Sequence, residues 1–458
     1  MASKVYVVTD LGPGDGGKGT VVHKIATMMR AHTVIKRGGA QGSHGVQTSG
    51  GDKFAFSQWG CGTLEGIPTH LSAQMVIAPE RLLIEADSLR YQCGIYDAFS
   101  LLTVDEEALC ATPFHGIASR INELARGDNP RGTVGTGVGE AYREYRRRPT
   151  DAIKARDLTS SDLRERLRCV RERIQADLQY TIEFEFLKED RATLAEEVSL
   201  LYDDRFLDFV VSKFEMAGKL VNVVSRDYLG GAILPREGVA IVESSHGVLT
   251  DRVMGFHPHT SAIRTLPSFT HGLLQDAGHT GEIINIGVTR SYAVRHGAGP
   301  MPTADPKDAD LLLPSSHKDN NRYQGQVRVG PLDFVLLRYA LAACGGPDAF
   351  DGLAMTWFDQ IQANGSWKQC RRYRGAKDAE FFLPNGDIRV VSNPSPQHQF
   401  ALGQQLSKCH PEVMATPVMA NVSQEVLFDF CAEVVQAQAG VPVRMVSFGP
   451  TELDQICK

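Results

Sequence analysis

Short apolar runs set between longer amphipathic stretches organise most of the chain. Val5–Val8 is β-branched and aromatic, a glycine-rich turn follows from Gly12 to Thr20, Val21–Arg30 has helical spacing, and Thr33–Ile35 is strand-like again. Strand, glycine turn, helix and strand in that order open a parallel α/β unit. Further buried-strand runs are Gln74–Ile77, Ser100–Val104, Val239–Val242, Glu282–Ile286 and Ala354–Thr356. Helical patterns lie at Glu80–Leu89, Asp162–Gln175, Pro331–Ala343 and Gln424–Gln436. The pattern predicts an α/β fold with a large, mostly parallel central sheet and helices on both faces.

Two stretches depart from this rhythm. Residues 151–214 are charged, poor in glycine and helix-periodic, and read as a helical subdomain inserted into the sheet order. From about Gly346 the chain alternates short strands and turns, with Pro384-Asn-Gly-Asp387 as a hairpin signal, which predicts a small antiparallel appendage over 346–458. No repeat or low-complexity linker separates these parts, so the 458 residues read as one unit.

Charge narrows the partners. Lys plus Arg total 48 against 54 for Asp plus Glu, a formal net charge of −6. That balance gives no general attraction to nucleic acid or an anionic membrane, so any phosphate binding is local. The nine cysteines form no C-x-x-C pair and read as reduced thiols. No apolar run approaches the ~20 residues of a membrane span, and the expected location is the cytoplasm.

Glycine loops carry the candidate chemistry. In Gly12-Pro-Gly-Asp-Gly-Gly-Lys-Gly-Thr20, Gly12, Gly17 and Lys18 keep phosphate-loop spacing, but Gly19 stands where that motif has Ser or Thr. Converging amides, a helix N-terminus and Lys18 still make an anion nest. Asp15 is the odd member: a carboxylate among anion-binding groups belongs there when it binds Mg²⁺ or takes a proton from substrate. Gly38-Gly-Ala-Gln-Gly-Ser-His-Gly45 follows the second strand, so His44 should lie beside the first loop. Gly132–Gly139, Glu243–Gly247 and Arg295–Thr303 add three more glycine-rich stretches. The histidines at 246, 257, 259, 271 and 279 match no zinc spacing.

Taken in order, these stretches, with Trp357-Phe-Asp359 and Ser447-Phe-Gly-Pro450, resemble adenylosuccinate synthetases over nearly the whole chain. The resemblance implies a Mg²⁺-dependent ligase in two steps. The γ-phosphoryl of GTP passes to the 6-oxygen of IMP, and the amine of aspartate then displaces phosphate. It makes Asp15, His44 and Lys18 catalytic, with Asp15 the base for N1. Asp15 and the Ser43 carbonyl would hold magnesium. It gives the nucleoside triphosphate to Gly14, Gly16, Gly17, Lys18, Gly19, Thr20, Arg328, Asp359, Gly449 and Pro450. It gives the acceptor nucleotide to Asp15, Gln41, Gly42, Ser43, Val134, Thr136, Arg148, His246 and Ser261. The amino acid falls to Arg322, Gln324, Gly325 and Arg328. Arg148 would reach the neighbouring active site of a homodimer.

The departures cluster at substrate contacts. Gln41 replaces an asparagine, Val134 a threonine, His246 a glutamine, Ser261 a threonine and Trp357 a lysine. The stretch Asn320–Arg328 lacks most of the arginines that clamp aspartate in relatives. Asp359 favours GTP, since guanine offers a donor pair that adenine lacks, while Trp357 can stack on either purine, leaving GTP or ATP as donor. The family also has a phage branch that acts on dGMP, so that acceptor, another purine-like nucleotide, or a nucleotide-binding pseudoenzyme stay open.

Overall fold

The first strand, Lys4–Asp10, lies inside the sheet, parallel to Ile283–Arg290 on one side and Val239–Gly247 on the other. Its residues alternate between two cores, as the period of two in a strand requires. Tyr6 and Val8 point to the core built with Val21, Val22 and Ile25 of the Lys18–Met28 helix. Val5 and Val7 point the other way, to Leu273 and Leu274 of the Pro267–Asp276 helix. A strand covered on both faces reads as an unbroken apolar run, which is why Val5–Val8 was visible in the sequence. This computed structural model describes residues 3–127, 129–186, 192–313, 323 and 325–458.

From that strand the 11-stranded sheet extends in both directions. One way lie Gly352–Thr356, Val443–Ser447 and the antiparallel edge strand Gln455–Cys457. The other way, beyond Val239–Gly247, lie Thr33–Gly39, Thr69–Ile77, Leu102–Asp105 and Asn222–Val224, with Leu109–Cys110 also paired to Thr69–Ile77. All but the last edge pairing are parallel, so the expected sheet class holds.

The helical insertion comprises Leu163–Phe186, Ala192–Tyr202 and Asp204–Leu220, so its last helix outruns the expected end at 214. The antiparallel part is smaller than the sequence suggested. Ser366–Arg374 pairs with His410–Pro417, and Pro384–Asp387 turns the chain between single bridging residues, Phe382 and Ile388. The rest of the C-terminal region returns three strands to the main sheet, because the apolar positions of Val443–Ser447 are buried against Gly352–Thr356. All nine cysteines are free. Among the described residues, no helix is long and apolar enough to cross a membrane.

Candidate active site

Parallel strands end together, and the loops beyond their carboxyl ends share one rim, where ligands of such sheets bind. In sheet order these loops follow Ser447, Thr356, Arg290, Asp10, Gly247 and Gly39. The first glycine loop is therefore central, with the Trp357 and Gly449 loops on one side and the His246 and His44 loops on the other.

The central loop is wound around a carboxylate that the motif did not include. Asp10 accepts from the amides of Gly12 (2.8 Å) and Gly16 (2.7 Å) and from Lys18 Nζ (2.9 Å). Lys18 Nζ also donates to the Gly14 carbonyl at 2.8 Å, and its side chain is fully buried. A Cβ at Gly16 would come within 2.7 Å of Asp10 Oδ2, so close winding needs glycine there. Gly17, at φ +87°, turns the chain into the helix that starts at Lys18, three residues before the apolar spacing suggested. Asp15 sits on the outer side of the loop, its side chain 35% exposed, with His296 Nε2 at 3.7 Å. Its peptide oxygen accepts from Arg290 Nε at 2.5 Å, and the Arg290 guanidinium lies 4.5 Å from the Trp357 ring centroid.

His44 is held by a buried acid. Its Nδ1 donates to Glu243 Oε1 at 2.5 Å, and Glu243 also accepts from Lys36 Nζ (2.8 Å) and the Cys61 amide (2.9 Å). Burial pushes the His44 pKa down to about 4, helped by the Lys36 charge and opposed by the bond to Glu243. Burial alone would raise the Glu243 carboxyl, but Lys36 and His44 outweigh it and hold it well below the usual carboxylate range. Among the described residues His44, Cys61 and Glu243 form the one cluster with metal-ligand spacing, and Lys36 already supplies its positive charge.

Beside this group opens a cavity of about 550 Å³ whose walls include Asp15, Gln41, Val134, Thr136, His246 and Ser261. Gln41 Nε2 donates to His246 Nε2 at 2.5 Å. Burial, then the nearby Lys18 charge, push the His246 pKa down to about 4. The Val138–Arg147 helix begins at Gly137, φ +85°, and turns its N-terminus into the same cavity. Amide donors and the helix dipole make that end an anion site. The buried oxygens Gln41 Oε1 and Thr260 Oγ1, both from cavity-lining residues, have no hydrogen-bond partner among the described residues.

The family profile of adenylosuccinate synthetase matches residues 7–456. The chain belongs to the adenylosuccinate synthetase family. It is thus of a family of ligases that form C–N bonds, acting on purine nucleotides and generally dependent on Mg²⁺. Relatives named adenylosuccinate synthetase include that of Thioalkalivibrio sulfidiphilus, 27% identical over 457 residues, covering 98% of this chain and 96% of the relative. That of Halobacterium salinarum is 29% identical over 360 residues, covering 76% of each. The fully ligated adenylosuccinate synthetase of Plasmodium falciparum superposes with a TM-score of 0.72 at 18% identity, covering 100% of both chains. The succinoaminodeoxyadenylate synthetase of cyanophage S-2L, bound to dGMP and dATP, gives 0.56 at 16% identity, covering 100% of this chain and 96% of that one.

Against this adenylosuccinate synthetase fold the expected site residues divide. Asp15, Gln41, Val134, Thr136, His246 and Ser261 share one cavity. Gly14, Gly16, Gly17, Gly19 and Thr20 form the central loop and first helical turn, with Lys18 turned inward to Asp10. Gly42 lies beside His44 Nε2, a Cβ there being 3.8 Å away, and Ser43 is exposed. Asp359, in the first turn of the Phe358–Asn364 helix, accepts from Gln360 Nε2 at 2.7 Å, and burial raises its pKa. Gly449 and Pro450 lie beyond the next strand, Val443–Ser447, with Gly449 against Asp454. Arg328 donates to the carbonyls of Gly297 and Gly299, both at 2.7 Å. Arg148 lines a separate 250 Å³ pocket with His115, Glu144 and Arg173. Gly325 is exposed, while Arg322 and Gln324 lie outside the described residues.

Asp10, Lys36, Glu243, Arg290 and His296 were not marked as site residues. Glu243 and His296 had a readable signal, since each lies at the start of one of the glycine-rich stretches. The others depend on contacts between distant strands.

Proposed function

We propose that the protein uses a nucleoside triphosphate to phosphorylate the 6-oxygen of a purine nucleoside monophosphate of the IMP type, and that the amine of aspartate then displaces phosphate. The observation that carries this reading is Asp15: a carboxylate with no hydrogen bond among the described residues, on a phosphate-type loop, in the wall of the large cavity. Such a group is placed to remove the N1 proton of a 6-oxopurine, which makes the oxygen a competent nucleophile toward the γ-phosphorus. The nucleoside diphosphate leaves. The phosphorylated oxygen then departs as inorganic phosphate when the amine attacks C6.

His44, fixed by Glu243, serves the 6-oxygen. Without ligand its imidazole is neutral, and an anionic oxygen brought against Nε2 reverses that balance and favours an Nε2–H donor. The Gly137 helix start, Thr136, Gln41, His246 and Ser261 receive the monophosphate nucleotide, while Gly42 and Val134 shape its walls. The central loop takes the donor phosphates. Trp357, Asp359, Gly449 and Pro450, two and three strands along the rim, take the donor base, and Asp359 favours guanine. Arg148 lies apart from the large cavity, as expected of a residue that completes a partner's site in a homodimer.

Magnesium fits this donor set. Mg²⁺ prefers hard oxygens, with one or two from protein and the rest from phosphates and water, and the unbonded Asp15 carboxylate and the Ser43 carbonyl would supply the protein share. When bound, the ion neutralises charge on the donor phosphates.

The test is a matrix of IMP, dIMP, GMP and dGMP against GTP, ATP and dATP, with and without aspartate, read by phosphate release and product mass. IMP with GTP giving adenylosuccinate only when aspartate is present supports the reading. A product from dGMP alone replaces it with the 2-aminoadenine branch, and nucleotide binding without phosphate release makes the chain a pseudoenzyme.

A further inference from the structure

One wall of the large cavity holds more positive than negative charge. Among the described residues Arg126, Arg131 and Arg143 meet two carboxylates, Glu123 and Glu140. Glu123 accepts from Arg126 Nη1 at 2.9 Å and from the Gly132 amide at 2.7 Å. Glu140 accepts from Arg143 Nη1 at 2.5 Å and from Asn122 Nδ2 at 3.5 Å. Arg131 donates from Nε to the Pro258 carbonyl at 3.1 Å and has no carboxylate ion-pair partner among the described residues. Burial, then the Arg126 and Arg143 charges, lower its pKa. A cation held among like charges with only a neutral acceptor calls for an anion.

A second such cation lies close by. His259 Nδ1 donates to the Arg131 carbonyl at 3.4 Å, while the His259 carbonyl accepts from Arg295 Nη2 at 3.3 Å. Arg295 is buried, lines the same cavity and otherwise donates from Nε to the Ala298 carbonyl at 3.0 Å. Burial and the Arg328 charge pull its pKa down to about 9, and Asp15 is the acid near enough to oppose them. The two guanidinium groups therefore bond the adjacent carbonyls of Pro258 and His259, and neither makes an ion pair with a carboxylate among the described residues.

Their place in the fold identifies the anion. Tyr323 and Gly325 belong to the stretch that resembles the amino-acid loop. A Cβ on Gly135 would lie 3.8 Å from the Tyr323 ring, and one on Gly325 would lie 3.7 Å from Gly297 Cα. That stretch thus touches the two loops next to Arg131 and Arg295. The acceptor phosphate has its own cradle at the Gly137 helix start.

We propose that Arg131 and Arg295 together bind the two carboxylates of a dicarboxylic amino acid, standing in for arginines absent from the 320–328 stretch. The reacting amine shares a carbon with the α-carboxylate, so that group belongs with Arg295, beside Asp15 and His296. Arg131 takes the side-chain carboxylate and sets the preference for aspartate over asparagine. The proposal rests on the ligase reading above.

The experiment uses the full-length protein with the best nucleotide pair, and measures KM for aspartate and for the acceptor in wild type, Arg131→Gln and Arg131→Lys. Loss of one charge-assisted fork costs on the order of 10- to 100-fold in affinity. Arg131→Gln is expected to raise the aspartate KM by that factor, leave the acceptor KM within about 2-fold, and erase most of the aspartate-over-asparagine preference. Arg131→Lys, which keeps the charge but not the fork, should recover part of it. Inhibition by succinate, a dicarboxylate without an amine, should weaken in parallel. A rise in acceptor KM with unchanged aspartate KM overturns the proposal and gives Arg131 to the nucleotide; unchanged values for both overturn it as well. A wild-type protein that makes product without any amino acid overturns the ligase reading itself, a failure visible before any variant is made.

Discussion

His44 Nδ1 and Glu243 Oε1 lie 2.5 Å apart, with both side chains buried and Lys36 Nζ donating to the same oxygen at 2.8 Å. The acid fixes which ring nitrogen faces the rim, and Lys36 keeps the acid ionised. Glu243→Gln should therefore lower kcat by at least ~10²-fold, the scale of a misplaced proton-transferring or charge-stabilising group. Combining it with His44→Ala should cost little more than His44→Ala alone, because the two act as one unit. Steady-state kinetics of the four-protein cycle decide this; additive losses would separate the two residues.

Among the described residues the Asp15 carboxylate has no hydrogen bond to lose, only the approach of His296 Nε2 at 3.7 Å. Asp15→Asn is expected to cut turnover by at least ~10²-fold, with melting temperature and nucleotide affinity nearly unchanged. Calorimetric titration with the nucleoside triphosphate checks the binding half of this statement. Near-normal turnover removes Asp15 from its role.

Asp10 behaves in the opposite way. It gathers two amides and the Lys18 ammonium, so Asp10→Asn leaves a buried cation uncompensated. Breaking such a pair costs about 3–5 kcal/mol. Urea unfolding should show this loss together with weakened triphosphate binding. Stability within 1 kcal/mol of wild type, on the ~1 kcal/mol scale of ordinary substitutions, would contradict the assignment.

That residue also shows where the sequence could and could not be read. The fold was legible because central strands buried on both faces appear as unbroken runs such as Val5–Val8, and turns appear as glycines such as Gly17 and Gly137, which occupy positive φ. The rim loops were legible for the same reason. The counter-charge of Lys18 was not: motif spacing assigns the lysine to phosphate and gives no sign that the last residue of the preceding strand holds its Nζ beneath the loop. Spacing along a chain says nothing about which strand neighbours supply a counter-charge. The pairings of Lys36 with Glu243, and of Arg290 with the Asp15 peptide, likewise cross more than two hundred residues.

His70 offers a pH test away from the site. It is buried with Nδ1 on Thr103 Oγ1, and burial alone pushes its pKa down to about 4. The unfolded chain, with the ordinary value near 6.5, binds a proton first as pH falls, so this group's contribution is intact above about pH 6.5 and is lost towards pH 4. The full shift corresponds to about 3 kcal/mol at 1.36 kcal/mol per pKa unit. Glu80 and Glu85, pushed up to about 7 by burial, act in the opposite sense, losing stability as pH rises through that range. Comparing wild type with His70→Gln isolates the histidine: unfolding free energies at pH 7.5 and 5 should fall less in the variant. An equal fall in both proteins would refute the burial argument.

The guanidinium of Arg290 bridges the Asp15 peptide and the Trp357 indole, and on the proposed function it would join the donor-base end of the site to the acceptor end. A chimera that grafts the last hundred residues of a relative onto this chain would import a new purine reader whose tether belongs to the old host. If the donor base is read at Trp357 and Asp359 as proposed, transplanting donor preference requires moving both ends of that strut, position 290 included.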